Sequence, residues 1–96
     1  MAYFAKLTAT GQAVTGRYRF HGFVLGTDGV NDPTITIEDS DGTGNGGEII
    51  PTATYDATAL GISGLMGMPP EGLFCNYGIL VTIVCAGTVE VTVFYS

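Results

Sequence analysis

Ninety-six residues carrying nine acidic and three basic side chains have a net charge of −6, which makes a general nucleic-acid-binding role electrostatically unfavourable. Hydrophobic residues at 46%, charged residues at only 12% and fifteen glycines exclude ordinary disorder and describe a turn-dense all-β chain. Such a length holds one core between two sheets, residues 1–96 forming a single domain, and leaves no material for a second lobe with a cleft between. The opening MAYFAKLTATGQ has neither a basic start nor an unbroken apolar run, and no stretch approaches the ~20 apolar residues that span a bilayer. The expectation is cytoplasmic synthesis without Sec export, and no membrane partner.

Alternation and turn signals divide the chain into about eight strands, the spacing of a two-sheet antiparallel β-sandwich, jelly-roll-like in its long crossings. The first strand is expected near Tyr3 to Ala9, ending before Gly11, and the second over Arg17 to Leu25, bounded by Gly16 and the turn-rich GTDGVNDP. In that second strand a period of two puts Arg17, Arg19 and His21 on one side, with Tyr18 and Phe20 on the other. Two of the three cationic residues and the only histidine thus form one stripe. It can pair with the chain's own carboxylates on a neighbouring strand, or serve as a docking edge for an acidic partner; Arg17, Arg19 and His21 are the candidate partner-binding residues.

Pro33 fixes the start of a third strand, Thr34 to Glu38, where isoleucines alternate with threonines. The following DSDGTGNGG is expected to be a solvated loop of nine residues with four glycines. Its Asp39, Asp41, Asn45 and nearby Glu48 offer oxygens that a hard cation such as calcium would accept. The calcium-loop spacing is incomplete and no helices flank it, while Asp, Asn and Gly are also what tight turns require, so no metal site is assigned. The same holds for Asp28, Asn31 and Asp32. A fourth strand follows at Glu48 to Thr54, a fifth at Thr58 to Leu65, then the stiff connection MGMPPEG and a short strand at Leu73 to Cys75.

The last nineteen residues, Tyr77 to Tyr95, read as a β-hairpin. A loop of Cys85, Ala86 and Gly87 sets Ile83 against Val89, Val81 against Val91 and Ile79 against Val93, making one side wholly apolar. Gly87 then falls where a type I turn with a bulge needs positive φ. Cys75 and Cys85 lie ~33 Å apart along an extended strand and stay out of bonding reach if the segment folds at Asn76 to Gly78, so both are expected as small buried thiols.

Catalytic chemistry finds no constellation. Nucleophilic hydrolysis needs a base oriented by a third group, and His21 stands mid-strand with no sequence signal for a partner. No cofactor motif is present and no enzyme activity is expected. A carbohydrate platform lacks tryptophan, and Tyr3, Tyr18, Tyr55, Tyr77 and Tyr95 serve equally to cap the core.

The segments RYRFHGFVLGTDG, PTITIEDSDGTG and GLFCNYGILVTIVCAGTVEVTVFYS resemble small virion proteins of tailed bacteriophages, of the capsid decoration (cement) type. That pattern starts with K-L-T-A-T-G, passes through a GF strand and a T-I-D-S-G turn, and closes with NGL-V-I-GTV-V-Y. Lys6 to Gly11, Gly22 with Phe23, Thr36 to Gly42, and Asn76 to Tyr95 correspond to it, with Asn76, Tyr77 and Gly78 in place of a direct Asn-Gly turn. The resemblance implies a non-enzymatic structural protein on the exterior of the virion, present in many copies or as a homo-oligomer. It would bind the lattice of the major capsid protein and stabilise the assembled head. The alternative is a tail- or fibre-associated sandwich module that binds glycan.

Overall fold

The computed structural model describes residues 3–58 and 71–96. Eight strands lie there: β1 (Tyr3–Leu7), β2 (Gly11–Thr15), β3 (Tyr18–Thr27), β4 (Thr34–Ser40), β5 (Asn45–Thr54), β6 (Leu73–Cys75), β7 (Gly78–Val84) and β8 (Val89–Tyr95). They form two four-stranded sheets, ordered β1-β8-β3-β6 and β2-β7-β4-β5, and every neighbouring pair is antiparallel. Each strand of the first half of the chain pairs with its mirror in the second: β1 with β8, β2 with β7, β3 with β6, β4 with β5. The chain is one long hairpin, its tip at β4–β5, rolled into a jelly roll, and the β3–β8 and β4–β7 ladders seal the roll. The two-sheet antiparallel sandwich read from the sequence is the fold.

Period-two alternation explains the core. Phe20, Phe23 and Leu25 of β3, Ile35 and Ile37 of β4, Ile79 and Val81 of β7, and Val89, Val91 and Val93 of β8 project between the sheets and are buried. A bulge in β3 between Phe20 and Gly22 lets Phe20 and Phe23 both face inward although they are three residues apart. Tyr95 closes one end of the core, edge-on to Tyr18 and tilted against Tyr3, and Tyr55 packs edge-on to Phe23.

The expected C-terminal hairpin is not formed. β7 and β8 belong to opposite sheets, and residues 85–88 arch between them. Ile79, Val81, Val89, Val91 and Val93 are buried as the alternation requires, but they meet across the sandwich rather than along a shared ladder. The parity of inward side chains is the same in a hairpin and in an arch, so the pattern alone cannot separate them. Gly87 is also needed for a different reason. It is not among the positive-φ glycines; a Cβ there would collide with the Asp28 carboxylate and the Asn31 amide.

Other boundaries shift. Gly11–Thr15 forms β2, an element the sequence reading missed because its two glycine-flanked apolar residues, Ala13 and Val14, give too little alternation. β1 stops at Leu7 rather than Ala9. The nine-residue loop contracts to a turn at residues 41–44, since Asp39 and Ser40 end β4 and residues from Asn45 onward begin β5. Thr58 lies in a turn, and the rest of the expected fifth strand falls outside the described residues.

Candidate functional site

Arg19 and His21 stand on the outward side of the β1-β8-β3-β6 sheet, opposite Tyr18 and Phe20 as strand parity demands. Arg17 precedes β3 in the tight β2–β3 connection and is exposed. Arg19 extends the ladder beyond β8: its N–H donates to the Ser96 carbonyl at 2.9 Å, and the Ser96 N–H donates back at 3.0 Å. His21 Nε2 and Ser96 Oγ share a hydrogen bond of 2.7 Å, and Arg19 Nη1 reaches the Glu71 carbonyl at 3.5 Å. Among the described residues, which include every charged side chain, the sole ion pair is Lys6 with Glu90 at 3.8 Å. The arginines therefore do not pair with the chain's own carboxylates.

The ladder registers show what surrounds them. Residues directly opposite in antiparallel strands share a side of the sheet. Phe4 is opposite Phe94, and Phe94 is opposite Gly22; Lys6 is opposite Thr92, and Thr92 is opposite Val24; Arg19 is opposite Phe74. All lie on the outward side, because Val93 and Tyr95 on β8, Phe20 on β3 and Cys75 on β6 point the other way. Phe4 is 63% exposed, Phe74 55% and Val24 41%, with Phe94 half-buried between strands. Three of the exposed large apolar side chains, Phe4, Val24 and Phe74, thus share one solvated sheet face. The sequence reading missed Phe4, Phe74 and Phe94. For Phe4 and Phe94 the signal was the parity of β1 and β8, in which Ala5, Leu7, Val91 and Val93 claim one side and leave these two on the other; the three-residue β6 gives no such signal for Phe74.

The opposite sheet presents a different exterior. Thr34 bonds to Thr54 at 2.8 Å and Thr36 to Thr52 at 2.7 Å, both through their hydroxyls, and Glu38 stands opposite Glu48. Asn45 Nδ2 donates to Glu38 at 2.8 Å, and the Thr52 hydroxyl donates to Glu48 at 3.2 Å. This exterior is hydroxylic and acidic, with Val84, opposite Thr34, the one large apolar side chain exposed on it among the described residues.

The acidic loops are built as backbone clamps. Asp39, placed in a solvated loop by the sequence reading, is buried at the end of β4 and accepts the backbone N–H groups of Asn76 at 3.0 Å, Tyr77 at 2.9 Å and Gly78 at 3.3 Å. Asp41 accepts from Thr43 and Gly44, which hold its carboxyl below the usual range. Asp28 accepts from the Asn31 backbone, the Asn31 side chain, and the backbones of Val30 and Thr88; these bonds hold it well below the ordinary carboxylate range and tie the β3–β4 loop to the β7–β8 arch. Asp56 is lowered by the hydroxyl and N–H of Thr58. Oxygens committed to backbone donors are poorly disposed to a cation, and no group of three or more potential metal ligands comes together among the described residues.

Both thiols are free, Cys75 in β6 and Cys85 in the arch. Burial, reinforced by the Asp39 charge, pushes the Cys75 thiol up to about 11, so it is an inert core group. His21 with Ser96 has the spacing of a base and a hydroxyl, but among the described residues no carboxylate bonds to the imidazole to orient it. A scan of protein-family models finds no match to the chain, and searches of the curated proteins and of the solved structures find none either. What the structure shows is a sheet face that carries exposed aromatic and cationic side chains.

Proposed function

We propose that the protein is a non-enzymatic structural component of a bacteriophage virion, a capsid decoration or cement protein. It binds the outer face of the assembled head in many copies and stabilises the major capsid lattice. The observation that supports this reading is the outward side of the β1-β8-β3-β6 sheet, where the exposed Phe4 and Phe74 share a face with Arg19, which no side-chain carboxylate of the chain engages. Around that surface the molecule is a close-packed jelly roll with no buried side-chain polar atom left unpaired among the described residues. A body of this kind suits repeated attachment to a lattice, where modest contacts give firm occupancy through copy number and shape. The sequence resemblance to small virion proteins supplies the partner class.

A glycan-binding module of a tail or fibre is favoured by one observation, the exposed rings of Phe74 and Tyr77, since sugars stack on aromatic side chains. Co-sedimentation separates the readings. Purified protein mixed with head shells assembled from the major capsid protein encoded alongside it is expected to pellet with shells and not with unassembled subunits. Mass spectrometry of purified virions is expected to find it in copy numbers set by the lattice. Absence from shells together with retention on a glycan array would replace the cement reading with the second one.

A further inference from the structure

We infer that the outward side of the β1-β8-β3-β6 sheet is the docking surface, and that its occupant is a protein surface with an apolar centre and an acidic border. The shell-protein identity of that occupant rests on the function proposed above; the choice of face and its chemistry rest on the charge layout. Two of the three cationic side chains stand in this face, Lys6 on β1 and Arg19 on β3, and Arg17 lies at its border in the connection just before β3. Of the nine carboxylates only Glu90 stands in the face, already engaged by Lys6, and only Glu71 at its lip. The remaining seven lie on the other sheet or in the connections, several of them used to clamp backbone. A molecule of charge −6 thus carries a net-cationic, aromatic side whose attraction is for acid flanking an apolar surface.

The same layout decides against other occupants. Two copies joined face to face about a two-fold axis would bring two sets of these cations together with one Glu90 each, which like-charge contact opposes. A nucleic acid presents a phosphate for every ~1.7 Å of duplex, far denser than three cations can match on an acidic body. The opposite sheet is a poorer rival, because it exposes the single large apolar side chain Val84 and no ring or cation, its hydroxyls bond one another, and Glu38 and Glu48 accept from Asn45 and Thr52. Within the docking face, Phe4 and Phe74 are the anchors, since they are the most exposed rings on separate edge strands. Arg17 and Arg19 set orientation and association rate.

The test uses full-length protein, the assembled shells, and 1-anilinonaphthalene-8-sulfonate, an anionic apolar dye that probes the face without any partner. Phe4→Ser with Phe74→Ser should weaken shell binding by tenfold or more and reduce dye binding, with melting unchanged within a few degrees. Should that double variant fold poorly, Arg19→Glu serves in its place. Arg17→Ser with Arg19→Ser should weaken binding several-fold at low salt and much less at 0.5 M salt. Val84→Ser with Glu38→Gln, on the other sheet, should bind both probes as wild type does. If wild type binds shells and the other-sheet variant is the one that loses binding, the inference falls while the cement reading stands. If wild type ignores shells, the cement reading falls, and dye binding unaffected by the phenylalanine variants would overturn the face as well. Face-dependent self-association in sedimentation velocity, or face-dependent binding of a single-stranded oligonucleotide, would overturn the chosen occupant.

Discussion

Replacing Asp39 measures how much of this fold hangs on one buried carboxylate. Asp39 is the penultimate residue of β4 in one sheet, and its two oxygens hold three successive N–H groups of residues 76–78, which carry the chain from β6 in the other sheet into β7. A hydrogen bond to a charged acceptor contributes roughly 1.5–3 kcal/mol, so the two shorter bonds would contribute most and the 3.3 Å bond least. Water can reach the amides of the exposed Asn76 and Tyr77 after the carboxylate is gone, but not readily that of buried Gly78. The net loss for Asp39→Ala is therefore expected at about 3 kcal/mol. In a domain of this size that lowers the melting temperature by about 15 °C. Asp39→Asn keeps one acceptor oxygen and nearly the same volume, and should lose about half as much. Urea unfolding followed by tyrosine fluorescence, in a chain with five tyrosines and no tryptophan, reads both variants. An Asp39→Ala protein within about 1 kcal/mol of wild type would refute the clamp.

Three further outcomes follow from the packing and the loops. Val91→Asp places an unpaired carboxylate between the sheets and should abolish folding, whereas Glu90→Gln, one residue away and outward, should change stability by less than about 0.5 kcal/mol; circular dichroism and thermal melts check both. Gly87→Ala should cost about 1 kcal/mol, because the ends of the Asp28 and Asn31 side chains must move aside and give up bonds of the loop clamp, and Gly87→Asn should be no better, although asparagine would be tolerated if positive φ were the requirement. Stability should be level from neutral pH down to about 5 and decline below about 4. The carboxyls of Asp28, Asp41 and Asp56 are depressed in the folded chain, so their contribution is full above the unfolded value and is lost as pH falls through the folded ones. Asp28→Asn should flatten the low-pH part of that decline in a melt series; an unchanged profile would show that the loop clamp carries none of it.

Sequence parity determined which side chains are buried. Ile35 and Ile37, Ile79 and Val81, and Val89, Val91 and Val93 occupy the core because a strand turns alternate residues to alternate sides wherever it lies. Composition, glycine spacing and short apolar runs likewise fixed an all-β sandwich of about eight strands. Tertiary structure alone decided which strands are neighbours. Gly78–Val84 and Val89–Tyr95 would satisfy the same parity as a hairpin, yet β7 pairs with β2 and β4 while β8 pairs with β1 and β3. Those ladders join residues far apart in the chain, and no local pattern records them. The roles of Asp39 and Gly87 were hidden for the same reason: each is set by a segment remote in sequence, residues 76–78 for one and 28–31 for the other. Half of the candidate face was legible, since Arg19 and His21 needed only the period of β3. The other half was not, because Phe4, Phe74 and Phe94 become one surface with Arg19 only when β1, β8, β3 and β6 lie side by side.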